Sequence, residues 1–218
     1  MYDTPVEVKV WGYWACFTRP EMKVERVSYP AMTPSAARGV LEAIFWKPQF
    51  SWEVREIVIL KPIAYFSILR NEVNSPASDR SARAWEKSGG GFFASEDRAQ
   101  RNTLGLRDVA YIIRANVVVK PGVNEDAAKF RDQFRRRVAR GQCYAQPYLG
   151  CREFSAFFSE PDPEPVPEES INMTLGRMLL DMDYVPGGSG AATPRFFNAE
   201  IRDNILRVGV TEGASHAP

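Results

Sequence analysis

Seven basic side chains fall between Lys120 and Arg140 (Lys120, Lys129, Arg131, Arg135, Arg136, Arg137 and Arg140), against Glu125, Asp126 and Asp132. That is a local charge of +4 in a protein whose formal net charge is +1. Cations gathered on one element of a near-neutral chain make a local anion-binding surface rather than a generally basic protein. Phe130, Phe134 and Val138 recur at i, i+4 and i+8, which predicts a helix over 124–141 that packs one stripe and turns its arginines elsewhere. A solvated arginine face on an ordinary surface helix is the competing reading.

A second group of bases, Arg19, Lys23 and Arg26, lies in a polar loop near Tyr13, Trp14 and Tyr29, and Arg152 follows the basic helix. Rings near cations suit single-stranded RNA, where aromatics stack on unpaired bases and arginines hold phosphates. The strand VAYIIRANVVV lacks the aromatic spacing of a simple RNA-recognition motif. Other chemistry finds little support. Asp181 and Asp183 alternate along an expected strand, where they either hold a metal or form a solvated face. The lone histidine, His216, and the scattered Cys16, Cys143 and Cys151 form no zinc pattern and no catalytic pair. There is no P-loop and no nucleophile elbow. No metal or cofactor is expected.

The elements that must position these residues read as follows. At 44% hydrophobic and 25% charged, the chain is too apolar to be disordered throughout. Val6–Phe17 reads as a strand. Thr33 caps a helix over 35–46, with Pro34 at its first position and Pro48 beyond its end. Trp52–Ile68 reads as one long strand, interrupted or bulged near Pro62. Residues 70–105, with Gly89-Gly90-Gly91, read as a mobile excursion. Val109–Lys120, the basic helix and a strand over Cys151–Phe158 follow. The order β-α-β-β-α-β predicts an α+β fold, a ferredoxin-like (βαββαβ) N-terminal domain with both helices on one face. Four prolines and five acids in EPDPEPVPEE predict an extended linker. Leu175–Val185 and Arg195–Val210 read as strands of a smaller C-terminal antiparallel β element, giving boundaries of 1–159, 160–170 and 171–218. The N-terminus lacks a cationic segment ahead of an apolar run, and no stretch reaches spanning length; the expected location is cytoplasmic, without a membrane partner.

Four blocks together resemble a known family: WGYWACFTRPEMKVERVSYPAMTPSAARGVLEAIFWKP, the RNEV at 70–73, FRRRVARGQ at 134–142 and LGCREF at 149–154. They are similar to the type I-C CRISPR-associated endoribonucleases, the "Cas-five" members of the RAMP superfamily. The resemblance implies a ferredoxin-like domain with a smaller β-rich part. It also implies metal-independent cleavage of CRISPR precursor RNA at the repeat hairpin, and retention on the crRNA 5′ handle among the other subunits of a surveillance complex. In such a reaction the ribose 2′-OH attacks the adjacent phosphate, which needs a base, a cation for the phosphorane and an acid for the leaving oxygen. The family pattern puts a tyrosine or histidine just before Trp46-Lys47-Pro48 and a Lys-His pair near the start of the second helix. Here those positions hold Phe45 and Lys129-Phe130, so the lysine is present and two proton-carrying groups are not. Tyr13, Tyr29 and Lys47 are the nearby groups able to substitute. The expected RNA contacts are Arg19, Lys23, Arg26, Arg38, Lys47, Arg131, Arg135, Arg136 and Arg152. The alternatives are a catalytically weak or inactive RNA-holding subunit, and binding of double-stranded DNA through the same basic surface.

Overall fold

The computed structural model describes residues 5–75, 78–161, 170–185, 190 and 192–209. They form a sheet-dominated mixture of strands and helices organised around one curled sheet. Its strands are β1 (Val6–Ala15), β2 (Arg26–Val27), β3 (Phe50–Ile59), β4 (Tyr65–Val73), β5 (Arg98–Val119), β6 (Phe157–Ser159), β7 (Met173–Tyr184), β8 (Ala192–Arg202) and β9 (Ile205–Arg207). The helices are α1 (Pro34–Ile44), α2 (Asp79–Ser88) and α3 (Ala127–Ala139), with a single 3-10 turn at Pro20–Met22. The path through the sheet runs β6-β1-β5-β3-β9-β8-β7, and β2 and β4 pair with the first part of β5. Every pairing is antiparallel except β2 with β5.

Alternation explains the core. Val6, Val8 and Val10 of β1, Ile57 and Ile59 of β3, and Ile113, Ala115 and Val117 of β5 are buried, the period-2 signature of a face covered by helices. α1 lays Ala37, Val40, Leu41 and Ile44 on that face, and α3 lays Phe130, Phe134 and Val138 beside them. The start of α1 is as the sequence predicts: the Thr33 hydroxyl accepts from the Ala36 amide at 3.2 Å, and Pro34 occupies the first turn. No helix among the described residues is long and apolar enough to cross a membrane.

Four sequence expectations are corrected. The strand expected over 52–68 is two strands, because Pro62 lacks an amide donor and the chain turns between Ile59 and Tyr65. The excursion expected over 70–105 is structured: β4 and the first part of β5 form a hairpin arm, with register from Tyr65↔Leu106 to Val73↔Arg98, capped by α2. Both faces of this arm are largely exposed, so no hydrophobic alternation marks it in the sequence. The strand expected over 151–158 shrinks to Phe157–Ser159, because residues 149–154 close a tight turn in which the Leu149 amide donates to the Phe154 carbonyl at 2.7 Å. The last expected strand is a hairpin: Asp203 and Asn204 have φ of 50° and 64°, the positive values a two-residue hairpin turn requires. β9 returns to pair with β3 and so joins β7–β9 to the main sheet. Most of the acidic proline-rich linker (162–169) and the tail with His216 lie outside the described residues.

Candidate active site and nucleic-acid interface

The C-terminal end of α1, the start of β3 and the face of α3 meet in an aromatic cluster. The Phe50 ring lies 5.6 Å from Phe45 and 4.8 Å from Phe130, centroid to centroid; Trp52 lies 5.2 Å from Phe50 and 4.8 Å from Phe134. All five residues are buried. The two positions at which the resemblance implies proton carriers are therefore brought together through Phe50, and hydrocarbon fills both. Sequence reasoning missed Phe50, which has no motif of its own. Trp52 Nε1 donates to the Phe45 carbonyl at 3.0 Å. Arg137 completes the junction: Nη1 donates to the Ile44 carbonyl at 2.8 Å and the guanidinium sits 5.2 Å from the centre of the Phe45 ring. It thus satisfies a terminal carbonyl of α1 with a cation at the negative end of the helix dipole. Its spacing of three from Phe134 was the available signal for an inward-facing arginine.

Polar groups rim this cluster. Lys129 points outward, 65% exposed, with Nζ 3.0 Å from Glu125 Oε2. Trp46, Lys47 and Tyr144 are exposed, and the Tyr144 amide donates to the Ala43 carbonyl at 2.8 Å. The rim can stabilise a phosphorane through its cations; the buried rings can move no proton. Of the substitutes considered, Tyr29 is fully buried, and that burial raises its phenol above the ordinary range. Tyr13 is 72% exposed but packs edge-on against Phe157 of β6, on another part of the sheet.

The expected RNA-contacting residues fall into two kinds. Arg38 is held by Glu42 and by Asp181 of β7, each at 2.7 Å; Arg26 is shared by Cys151 at 3.5 Å, Glu153 at 3.3 Å and Glu72 at 3.7 Å; Arg131 is buried. These three are buried or already paired within the protein. Arg19 stacks over the Tyr29 ring at 4.5 Å, with Glu21 at 3.8 Å. Lys23, Lys47, Arg136 and Arg152 are exposed and form no ion pair with the described residues; Arg135 has only a long contact to Asp132, 3.7 Å. Asp181 and Asp183 do not face one another as a bare pair: they serve Arg38 and Arg195, at 2.7 and 2.8 Å.

Beyond the loop at 148–150, which borders the first half of α1, lies a sulfur–arginine corner. Gly150, with φ of +85°, lets the chain pass against Cys16, whose carbonyl a Cβ at 150 would overlap. The Cys151 sulfur sits 3.6 Å from that carbonyl. Hydrogen bonding between the two thiols lowers Cys151 to about 6 and raises Cys16, and the Arg26 charge adds to the lowering at Cys151.

Comparison with known proteins fits this architecture. The sequence pattern of the CRISPR-associated protein family (Cas_Cas5), Cas5d group, matches residues 6–208. A protein of Thermus thermophilus named CRISPR pre-crRNA endoribonuclease Cas5d is 46% identical, the match covering 93% of this chain and 90% of that one. A protein of the same name from Mannheimia succiniciproducens is 44% identical, covering 93% and 94%. A crystal structure of a CRISPR-associated protein shares the fold at TM-score 0.67 with 20% identity, over 96% of this chain and 94% of the other. A match of this extent, running through β1, both core helices and the C-terminal strands, makes this chain a member of the Cas5d family of CRISPR-associated proteins.

Proposed function

We propose that this protein cleaves CRISPR precursor RNA at the repeat and then stays on the 5′ handle of the product, among the other subunits of a surveillance complex. The observation that carries the activity is identity of 44–46%, along nearly the whole chain, to two proteins named as pre-crRNA endoribonucleases. The junction of α1, β3 and α3 is the proposed site. Lys129, freed from Glu125 by the incoming phosphate, stabilises the phosphorane, with the exposed Lys47 on the same rim. The reaction leaves a 2′,3′-cyclic phosphate and a 5′-OH and draws on no metal. Arg19, Lys23, Arg135, Arg136 and Arg152 hold backbone phosphates. Arg26, Arg38 and Arg131 shape the surface from beneath.

The finer architecture belongs to the same reading. Numbering only β1, β3, β5 and β6 in chain order, the strands lie in the order 4-1-3-2, with α1 and α3 as the crossovers; this supports a ferredoxin-like domain over 1–159, a linker over 160–170 and a C-terminal β element over 171–218. A second reading, a subunit that holds the guide without cutting it, is favoured by one observation: Phe45 and Phe130 are buried rings where proton carriers are expected. Incubating the protein with end-labelled repeat hairpin in EDTA separates the two. Cleavage to a cyclic phosphate, reduced by at least tenfold in Lys129→Ala, supports the enzyme. Tight binding without cleavage leaves the holder. Equal affinity for an unrelated DNA duplex would instead favour general duplex binding.

A further inference from the structure

Gly39 sits in the middle of α1, exposed, and nothing lies within 4 Å of where its Cβ would be. A mid-helix glycine weakens a helix relative to alanine. A close neighbour can explain a glycine inside a regular element, as at Gly12 of β1, where a Cβ would press on Leu149. At Gly39 the protein on its own supplies no such neighbour. The space above the glycine belongs to a cavity of about 390 Å³ between the first half of α1, the loop at 148–150 and β7. Thr18 and Ser35 offer hydroxyls to it. Tyr148 and Tyr184 line it from two separate elements, and both rings are exposed, at 42% and 65%.

We propose that this cavity is a slot for one unpaired nucleobase of the bound RNA, stacked against a tyrosine and resting on the bare backbone of α1 at Gly39. The inference rests on the RNA-processing reading above and deepens it. A base fits better than a phosphate, because the polar wall is Arg38 already held between Glu42 and Asp181, two carboxylates for one cation. Those carboxylates repel an anion and accept from the amino and imino edges of a base. Phenol rings serve any base as a stacking surface. Gly39 precedes Phe45 by six residues, about 9 Å along the helix, so a base held here would anchor the strand beside the proposed cleavage site rather than within it.

The test is an equilibrium titration of labelled repeat RNA at fixed salt, using wild type, Gly39→Leu, Tyr184→Ala and the double reversal Arg135→Glu/Arg136→Glu, with a series of repeats each lacking one base. Gly39→Leu fills the slot, and since nothing lies near Gly39 the fold should survive; thermal unfolding checks that, and Tyr184→Ala carries the test if it does not. Expected is a loss of about tenfold in affinity for each of the two variants, the scale of one base stack. One abasic position should weaken wild type by a similar factor and have no further effect on Gly39→Leu. The slot is overturned if both variants bind within twofold of wild type while the arginine reversal weakens binding, and the RNA reading then survives. It is also overturned if the variants weaken binding but no abasic position reproduces the loss. Should wild type bind repeat RNA no better than unrelated RNA, the RNA reading falls and the slot with it.

Discussion

The two ends of α1 are built on opposite principles. Its C-terminal end is dry: Phe45, Phe50, Phe130, Trp52 and Phe134 interlock, and the inward-facing Arg137 serves a carbonyl and a ring face. Its first half borders polar groups that share partners: Arg38 lies between two carboxylates, and the loop at 148–150 across the cavity leads to Arg26, held among a thiol and two carboxylates. The difference separates two meanings of a positive charge. Arginines with assigned partners hold the fold, and those standing in solvent are free to meet a phosphate. The nine basic residues expected to contact RNA divide between these two kinds.

Breaking the dry end should have the largest effect. Phe50→Ala removes the ring that joins Phe45 to Phe130 and is expected to cost about 3–5 kcal/mol, read from the urea midpoint with m unchanged. Phe130→His sharpens the contrast by placing a polar ring in the same hydrocarbon. It should cost about 1–3 kcal/mol and raise the repeat-cleavage rate; an unchanged rate would remove this position from the chemistry. At the polar end, Arg26→Ala takes a cation from Cys151 and from two solvent-accessible carboxylates, one of which keeps Arg70, and a loss of no more than about 1 kcal/mol is expected. The same variant has a pH signature. Cys151, lowered to about 6, is mostly thiolate at pH 7, so its alkylation should be near its plateau there and fall tenfold per pH unit well below 6. Removing Arg26 takes away a stabiliser of the thiolate, so the midpoint should move upward in peptide-resolved mass spectrometry. Smallest for stability is Arg135→Glu/Arg136→Glu, expected within about 0.5 kcal/mol of wild type. Its effect should appear instead in RNA affinity, with the salt dependence of log K reduced by roughly 2.

How much of this was legible in the sequence depended on whether the cause was local. The cap at Thr33 and Pro34, the alternation in β1 and β5, and the apolar stripe of α3 all announce themselves within a few residues. The arm formed by β4 and β5 did not, because a hairpin projecting into solvent buries neither face and leaves no period to read. Nor did the commitments of the arginines: Arg38 finds Asp181 143 residues away and Arg26 finds Cys151 125 away, distances over which composition says nothing about pairing. At the proposed site, Phe45, Lys129 and Phe130 were singled out through resemblance, whereas Phe50, which joins two of them, emerged only from packing.

One strand has a further consequence, for the order of events during synthesis. β5 runs 22 residues, and β1, β2, β3 and β4 each find a sheet partner in it. Among the described residues, none of those four strands pairs with another of the four. Until residues 98–119 leave the ribosome, nearly half the chain therefore carries apolar strands with unmatched backbone edges, the condition under which nascent chains associate wrongly. The first hundred residues should behave as a sticky, unstructured fragment when expressed alone. Extending that fragment through Val119 should be the step at which protection from proteolysis first appears.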